Sequence, residues 1–350
     1  MQDIIIKRII PTEKDWATIA KSDNYTCFHT KEWSFYLKQT GKTPFILSLD
    51  KGEIRIGYFI GVLRQLGLKL IGAPTDGTGT FTQGLCMLID ISIEQRIKLY
   101  HTLWQWVIDN HIASYLQVCD WQLKFASPEY HELLKDLHFQ NRSTLYVDTN
   151  QSESDLWNAL HYKSCKYSIN KAKKLGLQVQ QITEEREISD FVNIHYNQLL
   201  DVCHRKGMTP QPYQKKKNMI ALCQQLFPDH ILMLQVKGQT DNGDMHIMAS
   251  AIFCIGEKAS LYFTGASNQR YMKYCPNEIM VWEAMRILSK RHAGDLIFGG
   301  VAHYKTKFGT QYAHLPMIIF SRFSIFYNAR KIIKQVYSTT RVTIAKIKKH

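Results

Sequence analysis

The chain has 350 residues, with 45% hydrophobic and 12% aromatic residues, which excludes global disorder and leaves room for two domains. Its formal net charge is +14, a balance that favours a polyanionic partner. The longest apolar runs, "GYFIGVL" and "IMASAIFCI", are too short to cross a bilayer, and the first residues lack the layout of a signal peptide, so a cytoplasmic location is expected.

In chain order, "IIIKRII" reads as a strand that meets a turn at Pro11. "TKEWSFYLKQTG" has helical spacing. Residues 45–73 then alternate as hairpins, with a turn at "DKGE". "ISIEQRIKLYHTLWQWVIDNH" reads as a helix and "SYLQVC" as a short buried strand. From Ser154, "SDLWNALHYKSCKYSINKAKKLG" suits one helix capped by Ser154 and ended by Gly176. Leu156, Leu160, Tyr167 and Leu175 give it an apolar side, and Lys163, Lys166, Asn170 and Lys173 share another.

The same kinds of element then recur. "ISDFVNIHYNQLLDVCHRKG" reads as a helix. Residues 230–266 read as hairpins with turns at "VKGQ" and at Gly256-Glu257. "PNEIMVWEAMRILSKRH" is a helix with Pro276 near its start, and "DLIFGG" a buried strand. Two copies of a mixed α/β unit follow: a first domain over 1–150, a basic connecting helix over 151–177 and a second domain over 178–320. Residues 321–350 form a basic amphipathic tail, expected either to be solvated or to lie on an anionic membrane surface. No acidic residue follows Asp295, so the body is nearly balanced and the end is basic.

The eight cysteines form no C-x-x-C pair, which argues against structural zinc and for reduced thiols. Cys203 and His204 are adjacent and point apart. Asp120 and Glu283 read as single acids without an assigned partner. The glycine-rich "GAPTDGTGT" lacks the lysine of a P-loop; it lines a cleft or serves as a turn.

Several segments carry a family resemblance: "FHTKEWSFYLKQTG", "GAPTDGTGT", "YKSCKYSINKAKKLGLQVQ", "YFTGAS", "PNEIMVWEAMRILSKRHAGDLIFGG" and "YKTKFGTQ". Their order resembles the Fem-type peptidyltransferases and FemAB-like acyltransferases of the GNAT superfamily. The resemblance implies an α/β (α+β) fold of two tandem GNAT-like domains, each a mixed, mostly antiparallel sheet flanked by helices. It also implies transfer of an acyl group from aminoacyl-tRNA or acyl-CoA, as co-substrate, to an amine on a nucleotide- or lipid-linked cell-envelope precursor. Neither route needs a metal or a permanently bound cofactor, and a peripheral contact with the membrane's inner face would suit a lipid-linked acceptor. One departure stands out. Where acetyl-CoA users carry a glycine-rich pyrophosphate loop, this chain reads "ASNQRYMKYCPNE", with Gln269, Arg270 and Lys273 but no glycine.

N-acyl transfer needs a neutral amine, a place for its proton and donors for the carbonyl oxyanion. In a GNAT-like second domain, Thr264 and the backbone near Gly265 would face the reacting carbonyl, or the glycines would serve turns. His303 and His246 are candidate proton acceptors. The Tyr304-Lys305 pair matches the family's Phe/Tyr-Lys position near a phosphate, and Lys307 and Phe308 extend that cluster. Arg205 is expected either at a helix end or on a phosphate or carboxylate. Lys163, Lys166 and Lys173 are expected on substrate phosphates, and Lys171 to matter least. The competing reading is a non-catalytic RNA- or anionic-membrane-binding protein on the same scaffold; nothing points to DNA.

Overall fold

A computed structural model describes residues 4–66, 68–72, 84–124 and 138–322. The first half runs β1 (Ile4–Arg8), α1 (Glu13–Ile19), α2 (Lys31–Gln39), β2 (Thr43–Lys51), β3 (Ile54–Leu66), β4 (Leu68–Gly72), β5 (Gly84–Met87), α3 (Ile93–Asp109), β6 (Tyr115–Cys119) and β7 (His138–Asp148). A connector holds α4 (Glu153–Ala159), a π-turn (Tyr162–Lys166) and α5 (Tyr167–Lys174). The second half runs β8 (Gln178–Gln181), α6 (Ile188–Arg205), α7 (Tyr213–Leu226), β9 (Ile231–Gln239), β10 (Met245–Cys254), β11 (Ala259–Ser267), α8 (Pro276–Lys290), β12 (Asp295–Ile297) and β13 (Gln311–Ser321). With β5 as an addition, the halves repeat one order: strand, two helices, three strands, helix, two strands.

All described strands join one sheet in the order β1-β2-β3-β4-β6-β13-β7-β12-β11-β10-β9-β8, with β5 on β3. Among the described pairings only β4–β6 and β11–β12 are parallel. The two strands at the middle of the order are exchanged. β7 pairs with β12 of the second half, and β13 pairs with β6 of the first.

Helices cover the sheet where their apolar spacing allows. Ile97, Tyr100 and Leu103 of α3 pack on Phe45, Leu47 and Phe59. Met280, Ala284 and Leu288 of α8 pack on Leu232, Leu234 and Phe253. A third cluster joins the halves, with Trp33 and Tyr36 of α2 against Phe191 of α6 and Met219 and Leu222 of α7. Each such large side chain, fully buried, contributes about 1.5–3 kcal/mol.

Three local readings change. Val236–Gln239 continue β9, and the chain turns later, at Thr240–Asp244, where Gly243 takes φ +90°. The single connecting helix is broken. Ser152, not Ser154, caps α4 by accepting from Asp155 N at 3.1 Å, and Leu160 is extended. His161 starts the next segment, its Nδ1 accepting from Ser164 N at 3.2 Å. The break lets Leu160, Cys165, Ile169 and Ala172 all be buried, whereas Tyr167 and Leu175 are exposed. α1 and α7 are further helices that the sequence reading did not assign.

Asp120 is also corrected: it is fully buried and fully partnered. Arg96 Nη1 donates to it at 2.7 Å, Tyr100 Oη at 2.6 Å, Asn24 Nδ2 at 3.1 Å and Gln122 N at 2.9 Å. Arg96 also pairs with Asp23. Asp120→Ala should destabilise the protein by about 3–5 kcal/mol, because it strips a buried guanidinium of its fully buried carboxylate partner. Chemical denaturation followed by circular dichroism checks this, and a loss below about 1 kcal/mol would contradict it.

Candidate active site

The parallel pairing of β11 with β12 covers only Ala259–Leu261 and Asp295–Ile297. On its other edge β11 carries a bulge: Phe253 opposes Tyr262, and Ile252 opposes Thr264. Successive strand residues normally face opposite sides. The extra residue, Phe263, breaks that alternation, so Phe263 and Thr264 line one pocket together. Tyr36, Lys215, Asn218, Met219 and Leu222 complete the lining of this space of about 70 Å³. Helices α2, α7 and strand β11 therefore each contribute, and both halves supply a wall.

Beneath Thr264 lies a buried polar chain. His195 of α6 is fully buried; its Nε2 is 3.2 Å from Thr264 Oγ1 and its Nδ1 is 2.8 Å from Ser250 Oγ. Ser250 donates to Gln198 Oε1 at 2.5 Å, and Gln198 Nε2 donates to Ile247 O at 3.1 Å. Burial pushes the His195 pKa down to about 3, so the ring is neutral at physiological pH. Sequence reading chose Thr264 but missed His195. The available signal was a histidine on the apolar face of α6, in spacing with Ile188, Phe191 and Val192.

A second cluster sits where β12 ends. Lys305 Nζ donates to Phe298 O at 2.6 Å and lies over the rings of Tyr262 and Tyr304. Burial lowers its pKa to about 8, and the nearby Lys206 cation adds to the effect. Tyr262 Oη packs so closely on Gly265 that an added Cβ there would stand 1.8 Å from it. Gly265 is thus required by a close approach inside β11, not by a turn.

The other expected residues divide clearly. Phe308 is fully buried and stacks on Phe298 at 6.0 Å, so it belongs to the core and not to a ligand surface. Lys307 is taken by an ion pair with Glu278. His303 is exposed at the start of the turn His303–Phe308 and is not among the pocket-lining residues. His246 stacks on Tyr271. Arg205 donates to Ser267 O at 3.0 Å and pairs with Asp201 at 3.3 Å, tying α6 to the end of β11. Glu283 is paired with Arg286.

Lys166 donates to Asn158 O at 3.1 Å, Lys173 lies over Trp157, and Lys163 is exposed. The break and the π-turn interrupt the helical phase on which a shared lysine stripe depended. Lys273 is paired with Asp241, while Gln269 and Arg270 are exposed. Cys203 is buried and His204 exposed. The loop at 73–80 and the tail from 323 lie outside the described residues. Among the described residues no group of three or more His, Cys, Asp or Glu could hold a metal, and no helix is long and apolar enough to cross a membrane.

No protein-family model matches the chain, and no curated protein matches it in sequence. Solved structures do match in shape. FemX superposes with a TM-score of 0.66 over 89% of this chain and 97% of its own, at 12% identity. A conserved protein of unknown function from Bacteroides thetaiotaomicron VPI-5482 gives 0.50 over 89% and 100%, at 10% identity. A tandem GNAT protein from the clavulanic acid biosynthesis pathway gives 0.48 over 92% and 99%, at 7% identity. The chain therefore shares the fold of FemX.

Proposed function

We propose that the protein is an N-acyl or aminoacyl transferase that moves an acyl group from an activated ester or thioester to an amine on a phosphate-bearing cell-envelope precursor. The observation that carries this reading is the pocket at the β11 bulge, where Thr264, backed by neutral His195, stands beside Lys215. Lys215 makes no ion pair among the described residues, so its charge is available to an anionic group of the acceptor. The same cation disfavours a second positive charge nearby and so favours the free amine over the ammonium form. Catalysis would rest on positioning that amine against the carbonyl carbon, with Lys305 as the cation for a phosphate or a developing oxyanion.

The entrance to α8 bears on the donor. A 3-10 turn over Gln269–Tyr274 replaces a glycine loop there, and Pro276 removes an N–H from the first turn of the helix. Few backbone donors are left for a pyrophosphate, which supports aminoacyl-tRNA over acyl-CoA. The exposed Tyr162 and Tyr167, beside Lys163 and Lys166, also suit an RNA partner, by stacking and charge. They equally motivate the non-catalytic alternative, for which salt-sensitive binding to generic RNA without turnover would be the signature.

Incubation with charged tRNA, or with acyl-CoA, and a panel of phosphate-bearing amines separates the two donors. Product is expected with charged tRNA; no product from either donor across the panel would sink the enzyme reading. Thr264→Val should lower turnover about tenfold or more while Thr264→Ser retains most of it, as expected for one lost polar contact to the reacting group. For Lys305, KM for the phosphate-bearing substrate should rise as pH passes about 8, where the Nζ loses its charge. Lys305→Arg should abolish that rise, since a guanidinium stays charged; an unchanged pH profile would remove Lys305 from the substrate contact.

A further inference from the structure

The hydrogen-bond chain under Thr264 has a direction that a single carbonyl fixes. Ile247 O can only accept, so the end of the Gln198 amide that faces it at 3.1 Å is Nε2. Gln198 Oε1 therefore faces Ser250 and takes its hydroxyl proton at 2.5 Å. Ser250 has one proton, so toward His195 its oxygen accepts, and Nδ1 at 2.8 Å carries the ring hydrogen. A neutral ring with hydrogen on Nδ1 has a bare Nε2. That nitrogen accepts from Thr264 Oγ1 at 3.2 Å.

We propose that Gln198, Ser250 and His195 are positioning residues that turn the Thr264 hydroxyl proton inward, so that only its lone pairs face the pocket and Thr264 selects a ligand that presents an N–H. This rests on reading the pocket as the acceptor site. An acceptor amine that donates one N–H to Thr264 is oriented while its own lone pair stays free for attack. A ligand group with lone pairs alone, such as an ether or a carbonyl oxygen, meets repulsion at the same place. His195 does not store the proton. An imidazolium would be a charge in a fully buried site, and Lys215 opposes it further.

Long-range 15N–1H correlation spectra of the full chain test the orientation directly. His195 should show one neutral Nδ1–H tautomer, unchanged from pH 5 to pH 8. Ser250→Ala should give a mixture of tautomers, and Ser250→Thr, which keeps the hydroxyl, should restore the single form. The selection is tested at a pH high enough to leave the amine uncharged, with two probes of equal shape, 2-aminoethyl phosphate and propyl phosphate. The amine should bind about tenfold more tightly to the native chain, the order of one hydrogen bond, and the preference should fall below about threefold in Ser250→Ala. An Nε2–H tautomer or an imidazolium in the native spectrum would overturn the orientation, whatever binds. A preference that persists in Ser250→Ala despite a changed tautomer would overturn the selection. If neither probe binds, the acceptor reading of the pocket fails, while the spectra still decide the orientation.

Discussion

Strand β13 lies between β6 and β7, and the rest of the molecule is arranged around that pairing. It contributes nine residue pairs to β7 and five to β6. Its residues come from the end of the described chain, so the first half cannot complete its sheet until the second has been made. The reverse also holds, because β7 closes the edge of β12. Pairings this distant in sequence carry a large loop-closure entropy, and their reward arrives only when both halves meet. Pro316 shows how finely the strand is placed. It lies opposite Asn141 of β7, one residue before the pairing with β6 begins at Met317, so its missing N–H removes no bond on that second side.

The same pairing fixes the chemistry. The turn that carries Lys305 runs directly into β13, and the strand holds the turn against the end of β12, where Lys305 meets the Phe298 carbonyl. The two halves then diverge in their use of charge. In the first, Arg96, Asp120, Asp23 and Tyr100 satisfy one another in a network that is buried except at Asp23, and Tyr100 Oη would stand 2.1 Å from a Cβ at Gly84. In the second, the bulge at Phe263 opens a pocket, and Lys215 and Lys305 make no ion pair among the described residues. A duplicated scaffold has thus been closed by paired charges on one side and left cationic and open on the other.

What was legible in the sequence follows from which forces are local. Hairpins β2–β3 and β10–β11, helices α3 and α8 and the strand that opens the chain declared themselves through period and turn residues. The repeat of order was visible for the same reason. The exchange of β7 and β13 was not, because no local pattern encodes a partner far away in the chain. Phe308 looked like a ligand contact because a lysine beside an aromatic is ambiguous until burial is known. His195 was hidden by the converse ambiguity: on an apolar face, a histidine reads as core. Only the positions of Ser250, Gln198 and the Ile247 carbonyl give it a tautomer and hence a meaning.

The connector poses the remaining physical question, since five lysines between Tyr162 and Gly176 make no ion pair among the described residues. Part of their stability is local. Lys166 satisfies a carbonyl at the end of α4, Lys173 rests on Trp157, and His161 N donates to Lys307 O, binding the segment to the turn that carries Lys305. The π-turn does something a straight helix would not. Tyr167 N–H bonds to Tyr162 O, five residues back, which brings two strongly exposed tyrosines toward one side; at 3.6 residues per turn they would stand about 140° apart. Tyr162 and Tyr167 are thus exposed aromatics with Lys163 and Lys166 beside them. The backbone bond from His161 N to Lys307 O ties this segment to the turn that carries Lys305, so the connector and the Lys305 cluster are anchored by one element.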